Sequence, residues 1–163
     1  MTLFLSVEHR LIVQNHAENT YPEECCGLLL GTIDAQDSSI KVGMEVRPMR
    51  NAWNEEVARD LQAVLPTALD AKASQASSSK LDRFSIDPQE MLQVQKETRD
   101  RGFTIIGIYH SHPNAPAIPS EFDRVVAWQR YSYANASVRV GQVSEIQSWV
   151  LDEKGDFQME GIR

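Results

Sequence analysis

The amino-acid sequence predicts an α/β fold, helices packed on a mixed β-sheet, for three reasons. Its 163 residues suffice for one domain with a hydrophobic core and are too few for two ordinary ones, so 1–163 reads as a single domain. Hydrophobic residues make up 42% of the chain, enough to fold around. Segments of helical periodicity alternate with short apolar or alternating runs, in the order helix, strands, helix, strand, helix, strands. No segment repeats another.

Taken in order, SVEHRLIVQNHAE (6–18) sets Val7, Leu11, Ile12 and Ala17 at roughly helical spacing, with Ser6 as N-cap, until Thr20, Tyr21 and Pro22 break the pattern. ECCGLLLGT (24–32) is a short apolar run bounded by polar and turn residues, as in a buried strand. SSIKVGMEVRP (38–48) alternates and reads as the next strand, ended by Pro48. Trp53, Val57, Leu61, Val64 and Leu65 recur at helical spacing, and Pro66 ends that helix. ALDAKASQASSSKLD (68–82) has little to bury, so 53–82 reads as a partly flexible insertion. A second helix follows, with Asp87 as N-cap, Pro88 at its first position, Glu90 three residues after the cap and Gly102 past its end. FTIIGIYHSH (103–112) is a strand, and SEFDRVVAWQRYSY (120–133) a third helix. ASVRVGQV (136–143) and EIQSWVLDE (145–153) are closing strands, and GDFQMEGIR adds one more.

Composition excludes several functions. Asp and Glu outnumber Lys and Arg by 23 to 16, a net charge of −7, and no basic cluster marks a nucleic-acid surface. No apolar run approaches the ~20 residues that cross a bilayer, and the N-terminus lacks a basic start and a small-residue cleavage site. Cys25 and Cys26 are adjacent, too close for an unstrained disulfide and too few for a secreted framework. A cytoplasmic setting with reduced thiols is expected.

The chemistry gathers in GIYHSHPNAPAIPSEFD (107–123). Residues two apart on a strand point the same way, so His110 and His112 present two imidazoles from one face. Pro113 ends the strand, and PNAPAIP, with three prolines in seven residues, is a stiff loop leading to a helix start at Ser120. Asp123 in the first turn then offers an oxygen ligand. Two His, one carboxylate and an open fourth position is the composition of a catalytic zinc site, whose Zn–N bonds are about 2.0–2.1 Å. Ser120-Glu121-Phe122-Asp123 also matches a capping box, although Asp is short for reaching back to the cap. The two readings of Ser120 are compatible, since its backbone can start the helix while its hydroxyl faces the metal. Tyr109 either packs in the core or lines a groove. Cys25 and Cys26 face opposite ways and cannot share an ion, and His9 and His16, seven apart, read as ordinary helix residues.

The pattern His110-Ser111-His112-Pro113 followed by Ser120-x-x-Asp123 resembles the signature of the JAMM metalloproteases, the JAB/MPN domain family. In that family H-x-H is followed, ten residues on, by Asp, with Ser three before it; here 113–122 are the ten. The family also carries an upstream acid in E-x-x-G at the start of an apolar strand, matched by Glu24-Cys25-Cys26-Gly27. The resemblance runs from about residue 5 to 150 and includes RFSIDPQE and GFTIIGIYHSHP. It implies a single MPN-type domain with zinc (Zn2+) held by His110, His112 and Asp123 and a water in the fourth position. Glu24 would be the general base and Ser120 the oxyanion donor. Glu24 is chosen over Glu23 by its distance to Gly27 in the family pattern; strand alternation sends the two to opposite faces.

Small stand-alone members in bacteria and archaea tend to act on ubiquitin-like sulfur-carrier proteins, cutting after a C-terminal Gly-Gly. The resemblance therefore implies a peptide or isopeptide hydrolase whose partner is a ubiquitin-like or sulfur-carrier protein, with no nucleic-acid or membrane partner. The glycine tail would lie beside the sheet as an added strand. The 53–82 insertion either covers that groove or is a surface excursion. No feature of the sequence sets the oligomeric state. The rival zinc deaminases need H-x-E and P-C-x-x-C, and no C-x-x-C is present. A non-catalytic scaffold of the same domain type would lack the metal ligands, which are intact here. A DNA-repair or phage tail-assembly relative fits poorly with the acidic charge.

Overall fold

The computed structural model describes residues 1–64 and 79–163. Seven strands, β1 (Thr2–Phe4), β2 (Cys26–Ile33), β3 (Ile40–Met49), β4 (Thr104–Pro113), β5 (Ser132–Arg139), β6 (Gln142–Leu151) and β7 (Phe157–Ile162), close into a barrel in the order β1-β3-β2-β4-β5-β6-β7. Pairing is parallel at β1–β3, β1–β7 and β4–β5 and antiparallel elsewhere, so the sheet is mixed, as expected. The described helices are α1 (Val7–Thr20), α2 (Glu55–Val64), α3 (Pro88–Asp100) and α4 (Glu121–Val126).

The sheet buries both faces. Leu29, Ile106, Tyr109, Ala134, Ala136 and Val138 pack with Val13 and Ala17 of α1. Leu28, Leu30 and Ile105 pack with Val94 of α3, joined by Ile108 and Met91. The run LLL in β2 is therefore a strand apolar on both sides, Leu29 facing α1 and its neighbours facing α3. A bulge between Leu29 and Leu30 in the β2–β4 ladder lets Ile105 and Ile108, three apart, share one face. That shift sets the phase of β4 beyond it. Ile108 faces α3, Tyr109 faces α1, and His110 and His112 fall on the α3 side.

Helix α3 starts as its sequence dictates. The Asp87 side chain accepts from the backbone N–H of Gln89 and Glu90, Pro88 occupies the first turn, and Gly102 takes φ 75° just beyond the end. Other expectations are corrected. In α1 only Ala17 of the anticipated apolar set is buried; Val7, Leu11 and Ile12 are exposed, and the core-facing stripe runs through Val13 and Ala17. Pro48 does not end β3 but pairs with Gly27 inside it. Because β1 covers only Ile40 to Val42, the other edge of β3 is open there, and a residue without an N–H costs no ladder bond. The helix expected over 120–133 stops at Val126, and Tyr133 lies in β5 with its hydroxyl accepting from the Trp128 N–H at 2.6 Å. The strand expected over 136–143 is broken by a two-residue turn, Val140 and Gly141, both at positive φ. The segment 65–78, which holds Leu65, Pro66 and most of the Ser/Ala-rich run, lies outside the described residues.

Gly27 shows why a small residue belongs in E-x-x-G. A Cβ built there would collide with the Tyr109 ring and lie 2.5 Å from the Arg47 carbonyl oxygen. Tyr109 is fully buried, and its hydroxyl meets Nδ1 of His16 at 2.8 Å, so the ring has no room to yield. Gly27→Ala is expected to cost about 1–3 kcal/mol by overpacking, read as a lower urea midpoint at unchanged slope.

Candidate metal centre

The C-terminal end of β4 carries His110 and His112 on one face. Their Nε2 atoms approach to 2.7 Å, and both rings are buried, at 1% and 7% exposure. Asp123, the third residue of α4, brings Oδ1 to 3.5 Å from Nε2 of His110 and Oδ2 to 3.5 Å from Nε2 of His112. One ligand atom from each of the three lies within 4.8 Å of the others, the one such group with metal-ligand chemistry among the described residues. The proline-rich loop between them fixes the geometry. The Pro116 carbonyl accepts from Nδ1 of His112 at 2.8 Å, the Ala115 carbonyl accepts from Ser137 Oγ at 2.7 Å, and the Ala117 carbonyl accepts from Trp149 Nε1 at 2.8 Å.

These contacts set the donor chemistry. A carbonyl only accepts, so the proton of neutral His112 sits on Nδ1 and its Nε2 lone pair points at His110 and Asp123. Burial lowers the His110 pKa, with Asp123 opposing. At His112 burial also acts to lower it, but the Asp123 carboxylate and the Pro116 carbonyl win and the pKa is raised. Burial would raise Asp123, yet the two imidazoles hold its carboxyl well below the usual range. Two imidazole nitrogens and a carboxylate held in its ionised form, desolvated together, are a donor set that suits zinc.

The antiparallel register brings Glu24 to this face. Cys26 pairs with His110 and the Ser111 N–H donates to the Cys25 carbonyl, so Glu24 falls opposite His112. Glu24 is buried at 6% exposure, whereas Glu23 is exposed. Burial pushes the Glu24 carboxyl up to about 8, with His112 opposing and Asp123 adding to the rise. Ser120 does complete the capping box. Its Oγ accepts from the Asp123 N–H at 3.1 Å, and its own N–H donates to Asp123 Oδ2 at 2.6 Å. Asp123 is thus long enough for the task its shortness seemed to preclude, and the Ser120 hydroxyl also donates to Oδ2 at 2.7 Å. Tyr109 is a core residue, and neither His9 nor His16 lies in the group. Cys25 and Cys26 are free, buried thiols.

Sequence reasoning missed two supporting residues. Phe84 stacks on the His110 ring, with centroids 4.4 Å apart. Asn51 is a buried clamp: its Nδ2 donates to the Glu24 and Arg83 carbonyls at 3.0 and 2.9 Å, and its Oδ1 accepts from the Trp53 and Ser85 N–H groups at 3.0 and 3.2 Å. It ties the residue two before β2, Glu24, to both ends of the 53–82 segment. No sequence motif flags a lone Asn in that position.

Comparison with known proteins follows the same lines. A family model described as prokaryotic homologs of the JAB domain matches residues 6–152. A Haloferax volcanii protein named desampylase is 31% identical over 136 residues, 80% of this chain and 77% of its own length. A Pyrococcus furiosus desampylase is 34% identical over 71 residues, 44% of this chain. A Thermus thermophilus protein named a probable TtuB-protein conjugate cleaving protease is 38% identical over 55 residues, 34% of this chain. The matched stretch spans 49% of the Pyrococcus protein and 37% of the Thermus one. No described helix is long and apolar enough to cross a membrane.

Proposed function

The chain belongs to the family of prokaryotic homologs of the JAB domain, and from that premise we propose that it is a zinc-dependent JAMM-type hydrolase. It cleaves a peptide or isopeptide bond after the C-terminal Gly-Gly of a ubiquitin-like or sulfur-carrier protein. The observation that carries the reading is the convergence of His110, His112 and Asp123 as three buried donors, with Glu24 buried on the same face. The names of the Haloferax, Pyrococcus and Thermus relatives support the substrate class. Buried, unpaired thiols at Cys25 and Cys26 support a reducing, cytoplasmic setting.

His110, His112 and Asp123 hold the ion. Bound zinc supplies a Lewis acid and a water whose pKa falls toward ~7. Glu24 takes the proton of the attacking water and delivers it to the leaving amine. Burial raises its pKa to about 8, so its carboxylate form is a stronger base than an exposed glutamate and its acid form can deliver the proton to the amine. The Ser120 hydroxyl, now donating to Asp123 Oδ2 at 2.7 Å, turns to the oxyanion as the carbonyl becomes tetrahedral. Glycines are required in the tail because a side chain there would clash as the backbone passes the site.

Zinc-loaded protein incubated with candidate ubiquitin-like carriers bearing C-terminal extensions, followed by intact mass, is expected to show loss of the extension after Gly-Gly. A chelator abolishes the loss and added zinc restores it. Carriers of unchanged mass across the set would overturn the substrate assignment.

A further inference from the structure

Two buried polar groups on adjacent strands are left without partners, side by side on the face of the sheet that carries the metal centre. Nδ1 of His110 has no hydrogen-bond partner among the described residues, and neither has the side-chain oxygen or nitrogen of Asn135, a residue with 0% exposure. His110 and Asn135 are register partners in the parallel β4–β5 ladder. The neighbours of Asn135 show which way its face looks. Ser137 reaches the Ala115 carbonyl in the loop after His112, and Tyr133 lies within electrostatic reach of Asp123. Ala134 and Ala136 look the other way, toward α1. Asn135 therefore sits on the His110 side of the sheet.

The proton count at His110 says what such a residue is for. Nε2 of His112 is an acceptor, because its Nδ1–H goes to Pro116. The two Nε2 atoms approach to 2.7 Å, and each lies 3.5 Å from an Asp123 oxygen, as ligands gathered on one ion would. A neutral ring that gives Nε2 to an ion carries its proton on Nδ1, which then needs an acceptor, and this ring is buried. An amide oxygen on the same face is such an acceptor.

We propose that Asn135 is the positioning residue for His110: its side-chain oxygen accepts the Nδ1–H of the zinc-bound ring and thereby fixes the ring's tautomer and orientation. The proposal rests on the zinc reading above and goes beyond it, since no sequence motif includes Asn135. Unpartnered buried polar groups carry a penalty and need a reason, and ion binding supplies one.

Zinc affinity by competition with a chromophoric chelator tests this, alongside ¹⁵N-histidine spectra of the metal-free and zinc-loaded full chain. Asn135→Leu, close in shape but unable to accept, is expected to bind zinc about 10–100-fold more weakly. Asn135→Asp, which keeps the acceptor, restores the affinity. In the spectra, Nδ1 of His110 carries the ring's proton in the zinc-loaded chain, and that proton's shift moves in Asn135→Asp as the acceptor becomes charged. Should Asn135→Leu fail to fold, the spectra of the unaltered chain and of Asn135→Asp decide alone. Leucine at 135 with undiminished affinity, or an Nδ1 proton indifferent to Asp, overturns the proposal while leaving the zinc centre standing. An unaltered chain that takes up no zinc sinks the earlier reading instead.

Discussion

Asp123→Asn is expected to abolish turnover and strip the protein of stoichiometric zinc while leaving it folded. The substitution is chosen for what it preserves. Asn keeps an oxygen that can accept from the Ser120 N–H, so the start of α4 survives, where Asp123→Ala would lose a cap worth about 1 kcal/mol. It removes only the negative charge between His110 and His112, both 3.5 Å away. Two neutral imidazoles with a neutral amide bind a dication far less well than two imidazoles with a carboxylate. The loss should therefore exceed the ~100-fold that removal of a mere supporting group can cost. Elemental analysis of the purified variant, with circular dichroism to certify the fold, reads the result. Full zinc occupancy with normal turnover would show that the carboxylate is only a helix cap.

Glu24→Gln is expected to do the opposite to the metal and the same to the rate. Zinc stays, because Glu24 is no member of the ligand group, while turnover falls by about 10²–10⁴, the contribution of a positioned general base. Glu23→Gln, on the exposed side, leaves both unchanged. A second readout comes from stability without metal. Burial raises the Glu24 pKa from 4.5 to about 8, so the folded protein holds a proton that the unfolded chain has released between those values. The sign follows: stability falls as pH rises through that window, and no penalty exists below it, where both states are protonated. Gln mimics the protonated acid at every pH. Metal-free Glu24→Gln should thus melt at the same temperature as the parent near pH 4, then increasingly above it until the difference levels off beyond about pH 8. Equal melting temperatures across the range, or full activity, would move the base elsewhere.

Much of the site was legible because its determinants are local. A period of two aims His110 and His112 together, a proline-rich loop of fixed length delivers Asp123, and four residues from Glu24 place Gly27 under Tyr109. What escaped depends on distant partners. Thr2–Phe4 is a strand only because β3 and β7 flank it in parallel, and three residues show no period of their own. The helix after Ser120 is cut short at Val126, and Tyr133 holds the chain beyond it through the Trp128 backbone, a tertiary bond overriding a plausible helical pattern. The turn at Val140 hid because a β-branched residue at positive φ carries none of the usual Asn-Gly signal. In α1 the apolar residues outnumber the buried ones, so composition pointed to the wrong stripe.

The Asn51 clamp bears on how much change the stretch between its partners can absorb. One amide fastens Trp53, Arg83 and Ser85 to the backbone of Glu24, so the stem of the intervening stretch is anchored irrespective of how many residues it holds. Lengthening a closed loop is cheap, about 0.6 kcal/mol per doubling. Whatever is threaded between those fasteners can then be exchanged while the backbone of Glu24 stays where it is. A graft joined at 54 and 82 is expected to leave the fold standing.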